Sequence, residues 1–127
     1  ADRNYLRPRK LRPPKTLTRN SFKNGMLVCH QSFYVRTDIA RKHLYNLRYR
    51  FSADFDWCVR IMKEAQNDGL VLHNTHTTLT DYLSEGMTTK NMRKSLLERL
   101  RIMCRHYGCI AAVWQHLWFV LRTFTKP

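Results

Sequence analysis

Apolar side chains recur at helical spacing in three parts of the chain, and each part predicts an amphipathic helix. One helix is expected to begin after Ser52 and run to about Asn67, with its apolar positions at Phe55, Val59 and Met62. A second is expected over about 91–107, with Leu96, Leu97, Leu100, Met103 and Tyr107 on one face. A third is expected over about 110–124, with an apolar stripe of Ile110, Val113, Trp114, Leu117, Val120, Leu121 and Phe124. Thr37 and Asp38 are typical of the start of a shorter helix that ends near Lys42.

Apolar runs without helical spacing predict short strands. The run of residues 26–36 is apolar and aromatic, with a polar interruption at His30 and Gln31, and it is consistent with one or two buried strand pieces. Residues 70–73 and 77–83 contain Val71 and several threonines, which also suit strands. Gly86 is expected to turn the chain into the helix that follows.

Residues 1–24 are expected to form an extended basic arm or loop. They contain Pro8, Pro13 and Pro14, show no sustained periodicity, and carry eight Lys or Arg against one acid, Asp2. Each proline disfavours helix at the residue before it, which supports the extended interpretation. This stretch does not resemble a secretory signal, which would carry a continuous apolar segment.

The composition indicates a folded domain with a large excess of positive charge. The 127 residues are 43% hydrophobic and 12% aromatic, which argues against simple disorder and suits one domain with a modest core. The formal net charge is +14, so an anionic partner or an absent acidic part of the protein is expected. Because the first residue is Ala1, the chain is interpreted as a fragment or a processed product.

The four cysteines and the longest apolar stretch restrict the class of protein. None of the cysteines forms a C-x-x-C pair, so they are expected to be buried free thiols in a reducing compartment: Cys29, Cys58, Cys104 and Cys109. Polar residues interrupt the stretch 110–124, which falls short of the ~20 residues of a membrane span. A soluble or peripheral protein is therefore expected.

Two carboxylates at the start of one predicted helix are the strongest candidates for chemistry. In one interpretation, Asp54 and Asp56 stabilise the first turn through the helix dipole, and Asp56 pairs with Arg60 four residues later. In the other, one carboxylate faces a cleft as a general base. His30 and Gln31 are likewise either satisfied by backbone groups or part of a polar pocket that donates hydrogen bonds to a sugar or phosphate. His73 and His76 are a weak signal for a metal site.

Three motifs occur in order around these residues, and together they resemble the C-terminal half of a bacterial family 2 glycosyltransferase of the polysaccharide or capsule type. The first is Gly-Met-Leu-Val-Cys-His30-Gln31-Ser-Phe-Tyr-Val-Arg36, and the second is Tyr49-Arg-Phe-Ser-Ala-Asp54-Phe-Asp56-Trp-Cys-Val-Arg60. The third is Asp81-Tyr-Leu-Ser-Glu-Gly86-Met-Thr88. The resemblance covers about residues 20–127.

The resemblance implies an α/β fold, namely the C-terminal part of the Rossmann-like GT-A fold of nucleotide-diphospho-sugar transferases with a helical C-terminal extension. Residues 25–89 would then be the acceptor-side part of the catalytic domain, and 90–127 the basic amphipathic C-terminal helices. Asp54 matches the family's catalytic base, although Ala53 stands where the family has a first acid. The other implied pocket residues are His30, Gln31, Asp56 and Arg60. Gly86 begins a turn that resembles Gly-Gly-x-Ser, with Glu85 in place of the first glycine.

The resemblance also implies what the intact enzyme binds. It would move a sugar, with inversion, from a nucleotide-diphosphate donor to a hydroxyl of a saccharide or lipid-linked acceptor. In the family a divalent cation, Mg²⁺ or Mn²⁺, is held by an Asp-x-Asp motif in the N-terminal half of the same domain. Asp54 and Asp56 share that spacing but lie on the acceptor side, so no metal ligand is assigned in this chain. Alone, the chain is expected to be inactive.

The basic C-terminal region leaves three interpretations open. Residues 90–105 hold six Lys or Arg against Glu98, and aromatic residues follow at Trp114, Trp118, Phe119 and Phe124. In the first interpretation these residues form a solvated basic face over a packed helix. In the second they bind anionic lipid, and in the third they bind nucleic acid. The alternative to an enzyme is therefore a small basic module that binds nucleic acid or an anionic membrane. The protein is expected to be cytoplasmic. A more specific expectation is that it attaches peripherally to the inner face of the plasma membrane.

Overall fold

The computed structural model of the chain describes residues 12–80 and 91–125. Within these residues the chain forms four α-helices: α1 (Thr37–Lys42), α2 (Ala53–Asn67), α3 (Met92–Tyr107) and α4 (Cys109–Thr125). Two short 3₁₀ helices, Arg19–Asn24 and His30–Ser32, precede α1. All four helices predicted from the sequence are confirmed, with ends close to those expected.

The apolar face of α2 lies at the centre of the core. Phe55 and Val59 are fully buried, and the ring of Phe55 packs against that of Phe22 with centroids 6.2 Å apart. Ile102 and Met103 bring α3 to the same cluster, and Ala112 brings α4 to it. The helical spacing of apolar residues thus corresponds to a shared buried surface, which is the main stabilising term for helices of this length.

The basic N-terminal stretch enters this core, in contrast to the extended arm predicted for 1–24. Its second half contains the 3₁₀ helix Arg19–Asn24, and Phe22 of that helix is fully buried. The Tyr107 hydroxyl donates a hydrogen bond to the backbone carbonyl of Arg19 at 2.6 Å, and burial raises the pKa of Tyr107 to about 12. Residues 1–11 lie outside the described part of the chain.

Helices α3 and α4 are joined at Gly108, which has a φ of 89°. A side chain would be strained in this left-handed conformation, so glycine suits the junction. The two helices pack against each other, and Ala112 of α4 is buried in the core cluster. Across residues 12–80 and 91–125, no helix combines the length and apolarity needed to cross a bilayer.

The expected α/β fold is wrong, because the described residues contain helices and irregular segments but no strand. Residues 26–36 fold over the helices instead, with Met26 and Leu27 buried and the 3₁₀ helix His30–Ser32 in the middle. Residues 70–80 are mostly exposed and are not paired with another backbone segment. A strand requires such a pairing partner, which β propensity alone cannot supply. The end of the predicted strand 77–83 and the motif from Asp81 to Thr88 lie outside the described residues.

All four cysteines are free, but only one is buried as expected. Cys58 lies in the core, and burial raises the pKa of its thiol. Cys29 and Cys104 are partly exposed, and Cys109 at the start of α4 is exposed. The prediction that all four thiols are buried is therefore confirmed only for Cys58, and Cys109, which follows the junction at Gly108, departs from it most.

Candidate functional site

The candidate site is centred on Asp54 in the first turn of α2. One of its carboxylate oxygens accepts a hydrogen bond from the backbone N–H of Phe55 at 2.8 Å. The other lies 3.2 Å from Nδ1 of His30, which the 3₁₀ helix places beside the start of α2. The side chains of Asp54 and His30 are 32% and 37% exposed, so the pair is held in place yet open to solvent. The structure thus brings together two residues that the motif resemblance assigns to one pocket.

Gln31 lies next to this pair without joining it. Its side chain is exposed, and its backbone carbonyl accepts a hydrogen bond from the Thr80 hydroxyl at 3.5 Å. The same hydroxyl accepts a hydrogen bond from Ser32 at 2.9 Å. These two hydrogen bonds connect the segment 70–80 to the 3₁₀ helix that carries His30. A substrate contact by Gln31 remains a prediction.

Asp56 differs sharply from Asp54 although only one residue separates them. Its side chain is 2% exposed, and its two oxygens lie 2.8 Å from Nε of Arg60 and 2.8 Å from Nε2 of His106. Burial by itself raises the pKa of Asp56, but the hydrogen bonds and charges of His106 and Arg60 outweigh it, and the pKa lies below its ordinary value. Asp56 is therefore held as a carboxylate by two partners.

Arg60 extends this buried pair to a third segment. Besides Asp56, its guanidinium donates a hydrogen bond to the backbone carbonyl of Leu44 at 2.7 Å. The Asp56 cluster, consisting of Asp56, Arg60 and His106, thus ties α2 to the loop after α1 and to the end of α3. The expected ion pair between Asp56 and Arg60 is confirmed. Direct contact of either residue with substrate remains a prediction, and the geometry gives both a positioning role.

Glu98 of α3 also orders the start of α2, and the sequence analysis missed it. Its carboxylate accepts backbone N–H groups from Arg50 at 2.9 Å, Phe51 at 2.7 Å and Ser52 at 3.1 Å. Ser52 occupies the N-cap position of α2, but its hydroxyl lies 3.3 Å from that of Ser95 and makes no cap hydrogen bond. The signal that could have revealed Glu98 is its position as the lone acid among the basic residues of 90–105.

Replacing Glu98 with alanine is expected to lower the free energy of unfolding by about 1–3 kcal/mol, because three backbone N–H groups lose their shared acceptor. Urea denaturation of the two proteins measures the difference. Asp68→Ala is the matched control, since Asp68 is an exposed acid at the other end of α2. An equal loss in both variants would show that Glu98 contributes no specific anchoring.

An aromatic cluster forms around Trp57, which follows Asp54 by three residues in α2. The ring of Trp57 has edge-on contacts with Tyr45 at 5.5 Å and with Phe33 at 6.0 Å, and its Nε1 donates to the carbonyl of His43 at 2.6 Å. Tyr45 is half exposed. Partial burial raises the pKa of Tyr45, and the negative charge of Asp54 raises it further. Tyr45 is thus a second residue of the site that the sequence analysis missed, since its sequence context carries no motif.

The open carboxylate of Asp54 beside the imidazole of His30 is suited to moving a proton. Within residues 12–80 and 91–125, no group of three or more His, Cys, Asp or Glu side chains could bind a metal ion. His73 and His76 are exposed on the segment 70–80, where the backbone N–H of His76 bonds to the side chain of Asn74. An open carboxylate beside an imidazole can accept a proton from a hydroxyl that reaches it.

Comparisons with protein-family models, with curated proteins and with solved structures find no match to this chain. The functional interpretation of the site therefore depends on its own geometry and on the motif resemblance described above. The geometry consists of the Asp54–His30 pair, the buried Asp56 cluster in the same helical turn and the aromatic rings around Trp57.

Proposed function

We propose that the chain is the acceptor-side part of a glycosyltransferase that acts in surface polysaccharide or glycolipid synthesis. The observation that carries the proposal is the carboxylate of Asp54, which is open to solvent and fixed 3.2 Å from His30 at the start of a buried helix. The resemblance of the surrounding motifs to family 2 enzymes assigns the role of base to the same residue. The geometry of the Asp54–His30 pair and the motif resemblance therefore both support Asp54 as the base.

The chemistry needs one proton acceptor on this side of the substrate. The acceptor oxygen forms a bond to the anomeric carbon, the bond from that carbon to the nucleoside diphosphate breaks, and the hydroxyl proton passes to Asp54. Attack from the face opposite the leaving group inverts the anomeric configuration. His30 orients the carboxylate, and the Asp56 cluster and Glu98 hold the helix that carries it.

Donor binding belongs to another part of the enzyme. At Asp54 the step we propose is the transfer of the acceptor's proton to the carboxylate. The divalent cation that neutralises the leaving diphosphate, Mg²⁺ or Mn²⁺, would be held with the nucleotide-sugar by the N-terminal half of the same domain.

The aromatic cluster is consistent with a saccharide acceptor. Sugar rings present apolar C–H faces beside their hydroxyls, and the face of an aromatic ring carries partial negative charge that attracts such C–H groups. Tyr45 is half exposed, and its edge-on contact with Trp57 fixes its position. The charge of Asp54 acts on its hydroxyl, so the exposed ring belongs to the surroundings of the proposed base.

A transfer assay tests the proposal. The polypeptide in which residues 1–127 are joined to their donor-binding part is incubated with Mg²⁺ or Mn²⁺, a panel of uridine- and guanosine-diphosphate sugars, and saccharide or polyprenyl-phosphate-linked acceptors. We expect one donor to give a glycoside of inverted configuration, identified by the proton coupling of the new anomeric centre. The absence of transfer and of donor hydrolysis across the whole panel would contradict the proposal.

The second candidate function is a basic module that binds an anionic surface without catalysis. The exposed apolar residues of α4, such as Trp114, favour it. The two functions are compatible, since an enzyme with lipid-linked acceptors would work in the cytoplasm at the inner face of the plasma membrane. The transfer assay separates them, because a binding module alone consumes no donor.

A further inference from the structure

One face of α4 is apolar and uncovered. Its residues follow one another at helical spacing and all are exposed: Ile110, Val113, Trp114, Leu117, Trp118 and Leu121. Trp114 is 75% exposed and Ile110 is 90% exposed. We refer to these six residues as the α4 apolar face. Soluble domains rarely expose a continuous apolar surface of this kind, and where they do it usually marks a site of interaction.

The opposite side of α4 accounts for the packing of the helix. Ala112 is fully buried, and the Gln115 side chain donates to Asn24 at 3.1 Å. At the N-terminal end of the α4 apolar face, residues between Tyr107 and Leu117 line an open cleft of about 870 Å³. The helix is therefore fixed on one side and presents an apolar ridge and cleft on the other.

The charges nearby restrict what can cover this face. Within residues 91–125 the sequence has six Lys or Arg and a single acid, Glu98, whose oxygens are occupied by backbone N–H groups. The exposed basic residues of α3 are Arg93, Lys94, Arg101 and Arg105. An apolar helix face in a region with six Lys or Arg and one acid is complementary to a bilayer interface, which offers acyl chains and anionic headgroups together.

The dimensions and composition agree with a helix that lies along a membrane. From Ile110 to Leu121 the face extends about 16 Å at 1.5 Å per residue, well below the ~30 Å of a hydrocarbon core. Tryptophan is favoured at the boundary between headgroups and acyl chains, and both Trp114 and Trp118 belong to this face.

We propose that the α4 apolar face inserts into the interface of an anionic membrane while the arginines of α3 meet the lipid phosphates. This peripheral attachment does not depend on the glycosyltransferase proposal, because it uses none of the residues of the Asp54 site. Its contribution to that function would be to bring the site close to membrane-bound acceptors.

Vesicle binding by the full 127-residue chain tests the proposal. We expect co-sedimentation with vesicles of phosphatidylcholine and phosphatidylglycerol at a ratio of 7:3, and a blue shift of tryptophan emission. Binding to pure phosphatidylcholine vesicles should be at least ~10-fold weaker, because each Lys or Arg near an anionic surface adds about 1 kcal/mol. Equal binding to both vesicles, or to neither, would overturn the proposal.

Matched variants assign the binding to the surface. Trp114→Ser combined with Leu117→Ser should weaken binding at least ~10-fold through lost apolar contact, whereas Leu47→Ser, at an exposed leucine elsewhere, should not. Arg101→Gln combined with Arg105→Gln should weaken binding to anionic vesicles about 10-fold or more. Unchanged binding in the Trp114 and Leu117 variant would overturn the proposal, since the basic residues 1–24 would then suffice. A dimer in solution, or binding of a 20-nucleotide oligothymidine, that is lost in this variant would also overturn it by assigning the face to another occupant.

Discussion

Replacing Asp56 with alanine is expected to destabilise the folded chain by about 3–5 kcal/mol. The side chain is 2% exposed, and its two oxygens are the acceptors for Arg60 and His106. Removing the carboxylate leaves the guanidinium of Arg60 partly buried without its counter-charge. It also breaks the hydrogen bond between Asp56 of α2 and His106 at the end of α3. The cost of an uncompensated buried charge is large because the protein interior screens it poorly.

Thermal and urea denaturation measure this loss, and Asp54 supplies the control. Asp54→Asn changes an acid in the same helical turn, but its side chain is 32% exposed and pairs only with the similarly exposed His30. We expect this control to cost less than about 1 kcal/mol, as is typical of exposed pairs. If the two variants lost equal stability, the Asp56 cluster would not be a special anchor of the fold.

The same cluster should make stability depend on pH. Because the pKa of Asp56 is lower in the folded chain than in the unfolded one, its contribution is fully present above the ordinary aspartate pKa of about 4. It is lost as the pH falls through the lowered value. Stability should therefore decline from about pH 5 downwards, and the decline should be shallower in Asp56→Ala. Asp38 and Glu64, whose pKa values are also lowered by hydrogen-bonded partners, should contribute a decline common to both proteins.

The four helices could be predicted from the sequence because helix formation depends on local spacing. The positions of Phe55, Val59 and Met62 were enough to place α2 and its buried face. The strands predicted within 26–36, over 70–73 and at the described start of 77–83 failed for the opposite reason. A strand is stable only when another segment pairs with it, and apolar or threonine-rich composition carries no information about that partner.

Contacts between neighbours on a helix could be predicted from the sequence, whereas contacts between segments far apart in the chain could not. The pairing of Asp56 with Arg60 was predictable, because residues four apart are neighbours on a helix. The contact of Asp56 with His106 and the capping of residues 50–52 by Glu98 join segments far apart in the chain, and no local pattern encodes them. His30 and Asp54 were both selected, but only the folded chain shows that they touch.

Asp54→Asn is expected to lower the turnover of the proposed transferase by ~10²-fold or more, which is the usual contribution of a general base. Asparagine keeps the size of the side chain and an oxygen that can accept the N–H of Phe55, so the start of α2 is preserved. What it loses is the capacity to take the acceptor's proton. Since ground-state binding is retained, kcat should fall while KM for the acceptor changes little.

Asp38→Asn is the matched control for this loss of activity, because Asp38 is an exposed aspartate in the first turn of α1 that pairs with Arg36. The control should retain wild-type turnover, which separates a chemical role from the general effect of removing a negative charge from a basic chain. Circular dichroism of the Asp54→Asn protein should be unchanged, because Glu98 and the Asp56 cluster, which hold α2, are untouched. Turnover near the wild-type value in Asp54→Asn would remove Asp54 from the mechanism and, with it, the observation on which the assignment as a glycosyltransferase depends.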